Sequence, residues 1–502
     1  MKFLKTLPVL AGAAVLLSAC ADHPIEPSTD SLLSAEGLTA THSLGSEAAN
    51  GRYIILMKRN AVPADFAARI EAAGGQLVHT LPQVGIAIAS GTGPEFVDAI
   101  SADNRVASIG PEPVTALPEI AVEIEFDAAL FDVPISPTPA DDLFNAGWVW
   151  GVERVNAPAA WAHGPAYTGQ GAVIGVLDTG IASNHPDLGQ NIVFNSCFSS
   201  SGDVVGRDWQ ADDPCNPYPS LSDPGTHVAG TVAARFGGGR VVGVAPNASL
   251  ANYNVFEWIP GLGTRSYTSS RWRAMIHAAD TGVDAINMSL GSFTFIGNDP
   301  KRFEERGWDH DPTRQNGLAT LMAAESRVAN YVTQRGTVII SSAGNSAADL
   351  NGTNVALPGQ TQGHLTVGAT GLRPNWWYQP GVSTDVLAGY SNFGAAIDVA
   401  APGGDCGPVG CVAQYLVLST IVQNLNASCA ETQSCTVWYG WKGGTSMAAP
   451  HVAGVAAIVR AVNPRLSANQ VNATITRTAD RLGDRQSFGH GMVDAAAAAG
   501  IR

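Results

Sequence analysis

Three short stretches of this 502-residue chain place reactive side chains where an apolar strand ends or a helix begins. Gly443-Gly444-Thr445-Ser446-Met447-Ala448-Ala449-Pro450-His451-Val452-Ala453-Gly454 sets a serine after a Gly-rich turn, at the head of an Ala-rich helix. The turn exposes the hydroxyl and the helix end is positive, as an activated serine nucleophile requires. A serine that only caps a helix would have the same local sequence. Gly175-Val176-Leu177-Asp178-Thr179-Gly180-Ile181 closes a second apolar strand with a carboxylate. Carboxyl ends of strands line the crevice of parallel sheets, so Asp178 can orient a base there, or simply cap a turn. Ser341-Ser342-Ala343-Gly344-Asn345 ends a third strand with a side-chain amide. Such an amide can donate to a developing oxyanion, a contribution of roughly 2.7–4 kcal/mol per donor. Nucleophile, orienting acid and oxyanion donor together describe acyl transfer.

With Pro224-Gly225-Thr226-His227-Val228-Ala229-Gly230 between them, these motifs follow one another in an order that resembles the subtilase family of serine endopeptidases, from about Trp150 to Arg502. The resemblance implies an α/β fold, a subtilisin-like parallel sheet flanked by helices, acting on polypeptides. By the same resemblance Asp178 orients the base, Ser446 attacks and Asn345 stabilises the oxyanion. Ser289, Leu290 and Gly291 look like the strand that meets an extended substrate, with Gly344 also against it. Leu357-Pro358-Gly359 resembles a pocket-wall segment in which the family often has a cis proline. Residues 51–116 resemble the family's inhibitory propeptide, which implies an intramolecular inhibitor removed by self-cleavage. No cofactor is required for such chemistry. The calcium loops of familiar subtilisins are not legible: Arg235-Phe236-Gly237-Gly238-Gly239-Arg240 carries no carboxylate cluster, and Asp187 reads first as a turn aspartate. No metal ligand is assigned.

One departure bears on the chemistry. The family motif is His-Gly-Thr-His, its first histidine being the general base, and here Pro224 stands at that position. Asp223 as N-cap and Pro224 at the first helical position keep the helix plausible. Proline has no acid or base, so no side chain at 224 takes the Ser446 proton. In subtilisin, loss of that histidine costs about 2 × 10⁶ in kcat, with roughly 10³–10⁴ over water remaining. His227 lies one turn further on, too far to reach Ser446 without rearrangement. Asp223, His185, His451 and a substrate histidine are weaker candidates. Two functions stay open: an endopeptidase made as an autoprocessed zymogen, and a catalytically inactive peptide-binding protein on the same scaffold.

The elements that must hold these groups are readable. Strand runs at Ala172–Leu177, Val283–Met288 and Val338–Ser342 alternate with helical stretches, the mark of a parallel sheet covered on both faces. Before them, strand, helix, two strands about Leu81-Pro82, helix and strand follow within residues 51–116, a small α+β (βαββαβ) domain. Residues 117–147, rich in Pro and acid, read as a linker containing the processing region. Residues 148–502 form the peptidase domain. Within it, 293–330 and 403–442 look like insertions, the first a surface segment and the second a disulfide-stapled loop beside the nucleophile.

Residues 1–20 read as an export signal, with Lys2 and Lys5 before the apolar run Leu7–Leu17, and 21–50 as a flexible tether. Leu17-Ser18-Ala19-Cys20 resembles a bacterial lipobox, which places a lipid anchor on Cys20; ordinary cleavage after Ala21 is the alternative. Either way the chain is expected outside the cytoplasm, secreted or held at the cell envelope, as a monomer. No later segment reads as long and apolar enough to span a membrane. Six further cysteines suggest the pairs Cys197–Cys215, Cys406–Cys411 and Cys429–Cys435. With 28 Lys+Arg against 43 Asp+Glu and no basic block, nucleic acid is not an expected partner.

Overall fold

The computed structural model describes residues 51–117, 122–125, 141–205, 224–259, 262–295, 312–372, 385–406, 411–423 and 436–501. The N-terminal part runs β1 (Arg52–Met57), α1 (Phe66–Ala72), β2 (Gln76–Leu81), β3 (Ile86–Ser90), α2 (Gly93–Ser101) and β4 (Val106–Pro111). These form a four-stranded antiparallel sheet of order β2-β3-β1-β4. Side chains alternate across a strand, which explains why all six residues of β1 are buried. Tyr53, Ile55 and Met57 pack on Phe66, Ile70, Phe96 and Ile100 from the domain's own helices. Ile54 and Leu56, on the opposite face, join the core of the larger domain. The split βαβ order read from the sequence is therefore present, and its sheet is closed on its second face only by the rest of the chain.

Two short strands follow, β5 (Val114–Ala116) and β6 (Val122–Glu125), so the stretch expected as a linker contributes a strand. The larger domain then contains β7 (Val173–Asp178), β8 (Ile192–Ser199), β9 (Gly202–Val205), α3 (Pro224–Ala233), β10 (Ser249–Asn254), β11 (Glu257–Ile259), β12 (Gly263–Tyr267) and α4 (Thr268–Asp280). After these come β13 (Ala285–Met288), β14 (Ser292–Phe295), α5 (Pro312–Gln334), β15 (Val338–Ser342), β16 (Asn354–Leu357), β17 (His364–Leu372), β18 (Asp385–Leu387), β19 (Val399–Pro402), β20 (Val417–Gln423), β21 (Thr436–Gly443) and α6 (Thr445–Val462).

The main sheet has nine strands, in the order β18-β17-β15-β13-β7-β10-β8-β9 with β19 also on β17. Only the outer strands β18 and β9 run antiparallel to their neighbours. One face is covered by α3 and α6, whose Val228, Val232, Met447, Val452 and Val455 sit in the first core. The other is covered by α4 and α5, through Trp272, Met275, Leu321 and Val328. The fold is thus the subtilisin-like parallel sheet between helices that the sequence implied.

Three expectations need correction. The later part of 293–330 is not a surface segment: α5 buries Leu318, Leu321, Ala324, Val328 and Val332 at helical spacing. The 403–442 insertion is chiefly a β-hairpin, β20 with β21, rather than a loop. Helix α6 is itself long and apolar enough to cross a membrane, but it is a core helix, almost wholly buried. Cys406–Cys411 is bonded as expected, and Cys197 is also disulfide-bonded. Cys215, Cys429 and Cys435 lie outside the described residues, as do the signal, Cys20 and Asp223.

Candidate active site

The sequence motifs converge because β15, β13 and β7 are neighbours in the sheet. Their carboxyl ends deliver Asn345, Ser289 and Asp178 to one edge, and α6 brings Ser446 to the same edge. Ser446 and Ser289 lock together: Ser289 Oγ donates to the Ser446 carbonyl at 2.7 Å, and Ser446 Oγ donates to the Ser289 carbonyl at 3.2 Å. Asn287 Nδ2 donates to Ser289 Oγ at 2.9 Å and holds that hydroxyl in place. Leu290 is buried in the second core. Gly291 packs so tightly on Leu357 that a Cβ would lie 2.5 Å from the Leu357 carbonyl oxygen. The Leu357–Pro358 peptide is cis.

Asn345 is oriented by a residue the sequence reading passed over. Its Oδ1 accepts from Thr445 N at 2.9 Å and from Thr445 Oγ1 at 2.7 Å, while Thr445 Oγ1 accepts from Gly344 N at 3.1 Å. The Asn345 amide nitrogen is thereby turned toward Gly444, beside the nucleophile. Gly344 sits at φ +93°, with the Asn392 amide 2.7 Å from where its Cβ would be. A side chain there would be strained and blocked. Position −1 to Ser446 was the available signal for Thr445, since a hydroxyl there faces the strand ends.

Asp178 is fully buried at the end of β7, and its Oδ1 accepts from Thr179 N at 2.8 Å. Helix α3 begins directly against it. A Cβ on Gly225 would lie 2.2 Å from the Gly180 carbonyl oxygen and 3.2 Å from Asp178 Cβ, so only glycine permits this approach. Pro224 is the first residue of that helix and is buried.

The remaining histidines are committed elsewhere. His227 Nε2 lies 3.0 Å from the Val417 carbonyl and 3.2 Å from that of Gly440, bolting α3 to the β20–β21 hairpin. Burial, with the Lys442 charge adding to it, holds this imidazole well below its ordinary pKa. His185 accepts from Asp187 N at Nδ1, so its Nε2–H donates to the Trp438 carbonyl at 3.0 Å. His451 Nδ1 lies 2.8 Å from the Met447 carbonyl. Burial lowers both His185 and His451 to about 4. Among the described residues, Ser446 makes no hydrogen bond to a titratable side chain.

Asp187 is buried, accepting from Tyr439 OH at 2.8 Å, and burial raises its carboxyl to about 6. The Asp141 carboxylate accepts from Gly237 N, and Asp142 pairs with Arg240 at 2.8 Å. These carboxylates hold the turn after α3 together. Among the described residues no group of three metal-type side chains converges.

Two strand pairings missing from the sequence reading join the N-terminal region to the larger domain. On one side β12 pairs antiparallel with β5, Tyr267 opposite Val114, Ser266 opposite Thr115 and Arg265 opposite Ala116. On the other, β21 pairs antiparallel with β6, Gly443 opposite Val122 through Gly440 opposite Glu125.

A serine at a helix head, a side-chain amide and a buried carboxylate at the edge of a parallel sheet make this a serine-peptidase scaffold. Residues 169–491 match the subtilase family. An alkaline protease of Alkalihalobacillus alcalophilus is 32% identical over 422 residues, covering 80% of this chain and 87% of that protein. Subtilisin BL of Lederbergia lenta is 33% identical over 352 residues, 70% of this chain and 97% of its own. Fervidolysin from Fervidobacterium pennivorans, a keratinolytic enzyme related to subtilisin, superposes with a TM-score of 0.63 at 22% identity, over 90% of this chain and 61% of that one. The chain belongs to the subtilase family.

Proposed function

We propose that this chain is an exported serine endopeptidase precursor in which residues 51–116 inhibit the peptidase domain and present the 117–121 segment for self-cleavage. The observation that carries this reading is that the N-terminal region is strand-paired to β12 through β5 and to β21 through β6. Strand pairing on both edges is how an extended substrate would be held. Ser446 attacks a carbonyl in this segment, Asn345 Nδ2 donates to the oxyanion, and Asp178 is the carboxylate that would orient a base at 224. Polypeptides are the substrate class, and Ser289, Leu290, Gly291 and Gly344 lie along their path. Placement outside the cytoplasm rests on the apolar N-terminal run, with Cys20 as a lipid anchor if its lipobox is used.

Pro224 favours a second reading, a peptide-binding protein that does not cut. An intramolecular cut gains from proximity and can proceed with a poor catalyst, so self-processing separates the two. Intact mass of the chain produced without its signal decides between them. Loss of about 100 residues in the parent, but not in Ser446→Ala, supports the peptidase. Processing seen only in Pro224→His supports the binding protein.

A further inference from the structure

We propose that Asn392 is the positioning residue for the oxyanion donor, holding the main chain on both sides of Asn345 so that its amide meets the transition state. The proposal deepens the peptidase reading and rests on it. Asn392 is fully buried and lies between β18 and β19. Its Nδ2 donates to the Ala343 carbonyl at 2.8 Å, and its Oδ1 accepts from Ser346 N at 3.1 Å and from Ala348 N at 2.9 Å. Its own main-chain N–H donates to the Gly344 carbonyl at 3.0 Å. These partners fix which way the amide faces, because a turned amide would set N–H against N–H and oxygen against oxygen. One residue thus ties down residues 343, 344, 346 and 348, and Asn345 is the residue enclosed by them.

The loop needs such a clasp. Gly344 sits at φ +93° and Ala347 at φ +47°, a region that a residue with a side chain seldom occupies. Backbone of this kind persists only where its surroundings over-determine it. Ala347 N donates to the Tyr390 carbonyl at 2.8 Å and Phe393 N to the Ala348 carbonyl at 3.0 Å, so the 390–393 segment closes the loop from one side. From the other, Thr445 holds the Asn345 side chain and Gly344 N. Asn392 therefore sets where the Asn345 backbone stands, and Thr445 sets where its amide points. A group displaced by about 1 Å can cost 10²-fold in rate. With proline at 224, oxyanion stabilisation and binding are the share of catalysis that loss of the histidine leaves in place, so the clasp acts on what this chain retains.

The test follows self-cleavage of the full-length chain carrying Pro224→His. Asn392→Ala should slow it at least about tenfold. Asn392→Asp keeps the acceptor for Ser346 and Ala348 but sets an oxygen against the Ala343 carbonyl, and it should slow cleavage by at least about tenfold as well. Asn345→Ala alone should cost about 10²–10³. Once Asn345 is alanine, adding Asn392→Ala should slow the reaction by less than about twofold more, since a residue acting through Asn345 has nothing left to position. Costs that multiply overturn the proposal, because a general loosening of the fold would slow both backgrounds alike. Asn392 variants cut at the Pro224→His rate overturn it too. In the unsubstituted chain the Ser346 and Ala348 amides should exchange at least about tenfold more slowly than those of an open loop. Exchange at open-loop rates overturns the proposal even where the variants fail to fold. If Pro224→His is itself never cut, the peptidase reading has failed and takes the proposal with it, an outcome distinct from a chain that is cut but indifferent to Asn392.

Discussion

Restoring an imidazole at position 224 is the sharpest perturbation available, because Pro224 is the buried first residue of the helix that begins against Asp178. A Cβ on the next residue, Gly225, would lie 3.2 Å from Asp178 Cβ, so position 224 is close to the end of β7. In subtilisin the histidine is worth about 2 × 10⁶ in kcat. At ~1.36 kcal/mol per tenfold, that is about 9 kcal/mol of barrier. The folding cost of losing a first-turn proline is about 0.4–1 kcal/mol, so the catalytic gain dominates even if the new imidazole is imperfectly seated. Pro224→His should therefore accelerate self-cleavage by at least about 10³ over the parent. A mass time course after refolding reads this directly, with new N-termini expected between residues 117 and 122. The rate should climb through the ordinary histidine range, about pH 6.5, because only the neutral ring accepts a proton. Adding Asp178→Asn should remove about 3 × 10⁴ of the gain. If Pro224→His is cut no faster than the parent, or equally fast with Ser446→Ala added, the assignment of the site is wrong.

Three further outcomes follow from buried charge. Arg52 and Glu112, both of the N-terminal domain, pair at 2.8 Å, and Glu112 also accepts from Ser269 N at the head of α4 in the larger domain; Glu112→Ala removes the carboxylate from this buried pair and should cost about 3–5 kcal/mol of full-chain stability in denaturant melts. His79 of β2, lowered to about 4 by burial and by Arg273 and Arg52, is neutral when docked, so acidification from 6.5 to 4 should weaken domain docking. Discounted for its partial exposure that is about 1–2 kcal/mol, measurable as pH-dependent release of the cleaved N-terminal domain and absent in His79→Gln. Asp187, raised to about 6 by burial, contributes stability that is complete below its unfolded value near 4 and lost as pH rises through 6. That amounts to about 3 kcal/mol, and the melting temperature of Asp187→Asn should be flatter between pH 4 and 6.

How much of this was legible depended on where each element finds its partners. The strands β1, β3 and β15 were readable because their apolar runs are buried on both faces. The groups Asp178, Asn345 and Ser446 were readable because each sits at a strand end or helix head with glycine beside it. Strands β5 and β6 were not, since they are short and pair with strands of the larger domain, and β12 was not, since it pairs on one side with the short β11 and on the other with β5. Strand β21 had a signal in Thr436-Val437-Trp438-Tyr439-Gly440-Trp441, rich in β-formers, but the neighbouring cysteines drew the reading toward a stapled loop. Helix α5 was masked by the charged residues Arg302 to Asp309 before it, although Leu318, Leu321, Val328 and Val332 already had helical spacing.

The survival of the motifs around Pro224 does not by itself argue for catalysis, because every retained group also has a structural duty. Asp178 accepts from Thr179 and closes the turn on which α3 rests. Ser446 and Ser289 join α6 to the end of β13 by reciprocal hydrogen bonds. Asn345 ties the end of β15 to Thr445. A scaffold that only bound peptides would need all three to keep its sheet edge in register. What such a scaffold would not need is an N-terminal region of its own strand-paired to both β12 and β21. A binding protein with its N-terminal region paired in this way keeps it in place, whereas a slow peptidase removes it in its first turnover, so whether the chain is cut between its two paired strands, and by Ser446 or by an external protease, is the point on which the function of the fold turns.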